Sequence, residues 1–279
     1  MINANIVADS ITAAGKRIVT FELQYQRFIH GEVMTHRMFS RNAMSSRAIP
    51  VAKMIEQVKN DPAAPIHWGK NQPGMQANEQ LEGDALDSVQ RMWSEAALEA
   101  ARIAEIMTKY GAHKQVANRI LEPFQWMRTL VTSTEWSNFF ELRAHPDAQP
   151  EFQALANAMK EAMGNSDPVV RPAGEYDFQN EACWHLPYIR PEERTTITVD
   201  QLVKMSTARC ARVSYLTHDG ENPSMDKDIE LYNRLVGSTP IHASPTEHSA
   251  MSLKDPDYQS KNFVGWLQFR QLVENRVNK

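Results

Sequence analysis

The segment Thr35-His36-Arg37-Met38-Phe39-Ser40-Arg41-Asn42-Ala43-Met44-Ser45-Ser46-Arg47 carries three arginines, a histidine, an asparagine and four hydroxyls, with no Asp or Glu among them. Arginine forks and hydroxyls are the donors that phosphate oxygens accept from, and each guanidinium offers paired N–H groups. Ser45 and Arg47 stand two residues apart, so an extended or turning backbone can aim both at one site. A solvated loop whose arginines pair with acids elsewhere satisfies the composition equally well.

Three other stretches hold reactive side chains. His242-Ala243-Ser244-Pro245-Thr246-Glu247-His248 places two histidines and a glutamate within seven residues. The spacing is not that of a helical zinc motif, and Pro245 opposes a continuous helix, so a metal site is disfavoured. Glu247 and His248 suit an acid–base pair, a hydrogen-bonding pair or a plain surface loop. In Asn138-Phe139-Phe140-Glu141-Leu142-Arg143, helical geometry puts Asn138 and Leu142 on one face and Arg143 about a quarter-turn away. Arg119 stands in Ala117-Asn118-Arg119-Ile120-Leu121-Glu122-Pro123 with nothing local to distinguish it. Cys183 and Cys210 are the only cysteines and lack a nucleophile signature. Cys210 reads as buried packing.

Totals bound the class. The chain has 279 residues, 42% hydrophobic and 23% charged, with a net charge of -4. That is an ordinary globular composition without the basic excess that attracts nucleic acid, so the positive charge of residues 35–47 is local and suits a small anion. Two cysteines, no basic-apolar leader in MINANIVADS and no apolar run of about 20 residues lead us to expect a soluble, cytoplasmic protein with no membrane partner.

The positioning elements follow from periodicity. Residues 3–13 and 17–27, joined by Ala14-Gly15-Lys16, read as a hairpin. Gly15-Lys16 is not a phosphate loop, since the upstream glycine and downstream hydroxyl are missing. Residues 28–38 turn helical, and 61–78 form a loop rich in Pro, Gly and Asn. From Gln80 to Tyr110 a long amphipathic helix is expected, with Leu86, Val89, Trp93, Ala97, Ala100, Ile103 and Met107 facing the core. A strand over 124–132, helices over 135–143 and 151–163, loops over 164–198 and helices over 199–213 and 225–236 complete the chain. The expected fold class is α/β, a single domain with a mixed sheet, flanking helices and long loops, spanning 1–279.

Together these pieces resemble the flavin-dependent thymidylate synthases. Their fingerprint RHRxxSxNExSxRY is met by THRMFSRNAMSSRA at His36, Arg37, Ser40, Asn42, Ser45 and Arg47, and departed from at Thr35, Ala43 and Ala48. Residues 117–143 resemble the family's A-R-(x)3-P strand and N-(x)4-R helix, which singles out Arg119, Asn138 and Arg143. Ala211-Arg212-Val213-Ser214-Tyr215 and 242–248 resemble the ARVS(Y/F) and GHxTPFEH motifs, which in the family precede the fingerprint. The order is circularly permuted: 1–163 carries the fingerprint, strand and helix core, and 199–279 the segment usually N-terminal. Permutation is tolerated when the original termini lie close together.

The resemblance implies an α/β fold of that family and synthesis of dTMP from dUMP, with FAD, NADPH and 5,10-methylenetetrahydrofolate. It implies catalytic Arg143 and Ser45, and a pyrimidine deoxynucleotide held by Glu32, Ser45, Arg47, Arg119 and Arg143. The cofactor set it implies is His36, Arg37, Met38, Asn42, Asn138, Ser214, His242, Ser244 and Glu247. It further implies a homotetramer with shared active sites, no nucleic acid and no metal. Glu32, where the family often has glutamine, suits a base amino group, so C5 methylation or hydroxymethylation of dCMP is a variant reading. The altered fingerprint also allows a non-catalytic nucleotide-binding homologue.

Overall fold

The structure is a computed structural model that describes residues 1–175, 178–214 and 224–277, without the side chains of Ser214, Arg276 and Val277. Tyr215, which closes the Ala211–Tyr215 motif, lies outside the described residues, as does the Ser214 side chain.

The expected hairpin is present: β1 (Asn3–Thr12) pairs antiparallel with β2 (Arg17–Gln26). Gly15 turns the chain at φ +86°, a left-handed conformation open to glycine at no steric cost. Its amide donates to the Thr12 carbonyl at 2.9 Å. β3 (Ser40–Ala43), β4 (Trp126–Ser133) and β5 (Val169–Arg171) complete a five-stranded mixed sheet in the order β3-β4-β2-β1-β5, only β5 running parallel to its neighbour β1. Thr132 stands at its centre, opposite Thr20 on one side and Ser40 on the other.

Both faces of the sheet are covered, yet β2 alternates from Val19 to Gln26, with apolar side chains on one face and Thr20, Glu22, Gln24 and Gln26 on the other. The odd-numbered face, with Val19, Phe21, Leu23 and Tyr25, joins the main core. The helices α1 (His30–Val33), α2 (Val51–Asn60), α3 (Gly83–Lys109), α4 (Lys114–Ala117), α5 (Ser137–Arg143) and α6 (Pro150–Gly164) all contribute to this side or its rim. The even-numbered face meets the C-terminal part of the chain, where α7 (Pro191–Thr196), α8 (Val199–Ala211), α9 (Met225–Val236) and α10 (Phe269–Val277) accompany a small sheet. That sheet pairs β6 (Trp184–His185) and β10 (Trp266–Gln268) with β7 (Ala250–Ser252), beside a two-stranded ribbon of β8 (Gln259–Ser260) and β9 (Phe263–Val264). Trp184 and Trp266 are fully buried there.

Two expectations are corrected. Residues 28–38 form only a short helical segment, because Thr35 and the following turns leave the helix to reach β3. The apolar stripe of α3 is rotated: Ala97, Ala101 and Ala104 are fully buried, Trp93, Ala100 and Met107 pack against them, and Val89 and Ile103 are exposed. Small residues let α3 lie close against its neighbours, and the large apolar residues beside them are left at the rim. No described helix is long and apolar enough to cross a membrane.

A buried ion cluster locks the C-terminal helices together. Asp228 of α9, fully inaccessible, accepts from Arg209 at 2.9 Å and from Arg212, while Glu193 of α7 takes Arg209 at 2.7 Å and Arg190 at 3.0 Å. Removing one member of such a cluster leaves a buried charge unmatched, at a cost of about 3–5 kcal/mol. Asp228→Ala is therefore expected to lower the unfolding free energy by about that much in urea titrations. A loss below about 1 kcal/mol, the range of a surface pair, would refute a locking role.

Candidate active site

The fingerprint leaves β2 through α1, loops back as β3 on the edge of the sheet and runs out to Pro50, which opens α2. Across the sheet edge, α5 delivers Arg143. Its Nε–H donates to His36 Nε2 at 3.1 Å, one terminal nitrogen lies 3.4 Å from a Glu32 oxygen, and the guanidinium sits 4.6 Å from the Phe152 ring centroid. The residues joined are 107 positions apart in the chain. The His36 ring is wedged among Phe39, Phe139 and Phe152 at centroid distances of 5.5, 5.0 and 5.7 Å.

For Arg143 to donate, His36 must be neutral with its lone pair on Nε2 and its proton on Nδ1. Its surroundings enforce this: burial, followed by the charges of Arg143 and Arg41, brings its pKa down to about 4. Arg41 closes the loop, donating to the Met34 carbonyl at 2.5 Å. Arg143 keeps 24% of its side-chain surface exposed, so its free N–H groups can meet a ligand.

The tail of the fingerprint forms a second group. Ser45 Oγ accepts from the Arg47 amide at 3.3 Å, a local turn that leaves the Arg47 side chain exposed. One carboxylate oxygen of Glu122 accepts from Ser46 at 3.2 Å, Arg119 at 2.7 Å and Arg27 at 2.8 Å, so it draws Arg119 beside this turn. Buried Asn118 donates to the carbonyls of Ser46 and Ile49 at 2.7 and 3.0 Å.

The third group is the 242–248 loop. Ser244–His248 is a short 3-10 helix in which Pro245, Thr246 and His248 are buried, while His242 and Ser244 are exposed. Glu247 pairs with Arg270. The loop packs on β3, where Asn262 and Gln268 bond Ser40. Beneath it runs a buried chain: His248 Nδ1 to Thr132 at 2.8 Å, Thr132 to Thr20 at 2.7 Å, Thr20 to His185 Nε2 at 2.8 Å and His185 Nδ1 to Ser10 at 3.0 Å. His248 Nε2 is buried and without a partner among the described residues.

Glu32, His36 and Arg143 thus meet directly, and Ser46, Arg119 and Arg27 meet on Glu122, beside the turn of Ser45 and Arg47. Among the described residues no hydrogen bond or ion pair links these two groups or joins either to His242. Arg37, Met38 and Asn138 are exposed. Asn42 is buried, its amide donating to the Cys210 carbonyl at 3.4 Å. No group of three His, Cys, Asp or Glu among the described residues is placed to hold a metal. Glu122, Asn118 and Phe152 were not singled out by the sequence; Glu122 lay within the Arg119 motif, and its acid three residues after an arginine was the available signal.

The model of the thymidylate synthase complementing protein family matches residues 16–169, and the chain belongs to that family. It is a thymidylate synthase-like methyltransferase, of a family known as flavin-dependent. One solved structure with partial likeness is a UMP/dUMP methylase PolB from Streptomyces cacaoi bound with 5-Br UMP, at TM-score 0.49 and 18% identity, covering 61% of this chain and 90% of that one. No curated protein matches.

The histidines set a pH window. Burial holds His36 and His30 near 4, His248 near 3 and His185 well below its ordinary value. In the unfolded chain each titrates near 6.5, so as pH falls the unfolded state takes up protons first. This contribution to stability is full above about pH 6.5 and is lost as pH falls toward 4. Thermal melts should show the midpoint dropping by several degrees between pH 7 and 5, and His248→Asn should flatten that slope. An unchanged slope in the variant would show that His248 is not held neutral.

Proposed function

We propose that this protein makes dTMP from dUMP, taking the one-carbon unit from 5,10-methylenetetrahydrofolate and reducing power from NADPH, with FAD as its bound cofactor. The observation that carries the reading is the neutral His36 seating Arg143 beside Glu32, which unites the fingerprint with the Asn138–Arg143 motif. Held on three sides, Arg143 keeps N–H groups free for the ring carbonyls and N3 of a pyrimidine, where charge builds during attack from carbon 5. Ser45, Arg47 and Arg119 suit the nucleotide phosphate, since arginine forks and a hydroxyl flank one turn.

The donor set fits a flavin dinucleotide: Arg37, Asn138, His242 and Ser244 are exposed, and none of their side chains has a hydrogen-bond partner among the described residues. In the proposed assembly they hold FAD together with His36, Met38, Asn42, Ser214 and Glu247. When bound, the flavin supplies the reducing equivalents. Both cysteines are buried, and burial drives the Cys210 thiol far above its ordinary range, so an attacking thiolate is unavailable. We also read the chain as a permuted member, a single domain acting in the cytoplasm as a homotetramer whose shared sites bring together Arg143, Arg47 and His242 from different subunits.

Glu32 favours a second reading. A carboxylate beside Arg143 is an acceptor, and the 4-amino group of cytosine offers what uracil lacks there. Mass spectrometry of products from dUMP and dCMP, each with methylenetetrahydrofolate, separates the two readings and distinguishes methyl from hydroxymethyl.

The purified protein is expected to be yellow and to release tritium from 5-labelled dUMP. Arg143→Ala should cut that release by about 10²-fold or more while retaining flavin absorbance. Full turnover in the variant would remove Arg143 from the reaction.

A further inference from the structure

The segment after α3 packs along the fingerprint turn. Lys114 of α4, then Asn118 and Glu122 of the 3-10 helix Asn118–Phe124, stand at four-residue steps, and all three reach that turn. Lys114 Nζ donates to the Ala48 carbonyl at 3.0 Å, Asn118 donates to the carbonyls of Ser46 and Ile49, and Ser46 Oγ donates to Glu122 at 3.2 Å. Two of these contacts take backbone carbonyls. The third takes a side chain, and it handles charge as well.

A single Glu122 oxygen accepts from Ser46, Arg27 and Arg119. Arg27 needs a counter-charge there, because its side chain is only 15% exposed and a guanidinium drawn out of water is costly unpaired. That need accounts for one bond. Arg119 has no such need: 54% of its side chain is exposed, and a pair so open to water adds little stability. What the pair fixes is direction. A free arginine has rotamer freedom that an anion must remove on binding. Held by one terminal nitrogen, Arg119 is already stopped next to Ser46, which stands between Ser45 and Arg47 in the chain. Its other side-chain nitrogens have no partner among the described residues. A carboxylate repels a phosphate bound nearby, so the ordering of Arg119 has to outweigh that repulsion.

We propose that Glu122 is a positioning residue of the nucleotide site, holding Arg119 beside the turn so that Ser45, Arg47 and Arg119 face one phosphate. The inference rests on the reading of those three as phosphate donors. Glu122 itself touches no ligand and acts through Arg119.

Titration calorimetry of the purified full chain tests it, with dUMP and with deoxyuridine, the same base and sugar without phosphate. Wild type is expected to bind dUMP more tightly. Glu122→Gln keeps size and an acceptor oxygen but gives up the charge-assisted bonds, and should weaken dUMP about threefold; Glu122→Ala should weaken it about tenfold. Deoxyuridine should bind all three proteins alike. The sign is decisive, because deleting a negative charge near an anion strengthens its binding unless geometry is lost with it. Tighter or unchanged dUMP binding in the glutamine variant therefore overturns the proposal, and so does a parallel loss for deoxyuridine, which marks general damage. The isosteric glutamine variant carries this comparison even where the alanine variant fails to fold. In an Arg119→Ala background, Glu122→Gln should cause no further loss, and an additive loss overturns the route through Arg119. A wild type that binds both ligands equally removes the phosphate reading together with the inference. A wild-type preference for dUMP that persists undiminished in the glutamine variant removes the inference alone.

Discussion

The bond from Arg143 to His36 requires an uncharged imidazole, and much of the surrounding architecture serves that requirement. Three phenylalanines from β3's approach, α5 and α6 exclude water from the ring. Two neighbouring guanidiniums, Arg143 and Arg41, repel a second positive charge there. A protonated His36 could not accept, and Arg143 would keep only its loose contact to Glu32 and its seat on Phe152. A single protonation state therefore sets the direction in which the guanidinium points.

The same preference for neutral histidine recurs on the other face of the sheet. Thr132 lies between Thr20 and Ser40 in register, and its hydroxyl passes the hydrogen-bond chain from His185 to His248. Each hydroxyl has one proton to donate, so the direction of one bond dictates the next along the chain. The sheet thereby couples the 242–248 loop to residues near the opposite end of the sequence, and the loop is held from below rather than by its own exposed side chains.

How much of this was legible in the sequence depended on range. The hairpin, β4, α3, α8 and α9 follow from local periodicity and appear close to where it put them. The brief helix after β2 did not, because tertiary demand to reach the sheet edge overrode a helical pattern. The buried face of α3 departs from its large apolar stripe because its alanines, weak hydrophobes by composition, are what close packing requires. Glu32, His36 and Arg143 were named individually, but nothing in the chain announces a 107-residue bridge between two of them. Asn118 leaves no periodic trace because its partners are backbone carbonyls of a distant turn, whereas Glu122 offered only its place three residues after Arg119.

Asn118 has a consequence for how this fingerprint tolerates change. It grips the carbonyls of Ser46 and Ile49, groups every residue type possesses, so the path of the turn is dictated from outside its own side chains. Ala43 and Ala48 can stand where larger polar residues are usual without redirecting the main chain around Ser45 and Arg47. The motif's shape and its lettering are thereby decoupled: this chain can drift in spelling while the cradle keeps its curvature.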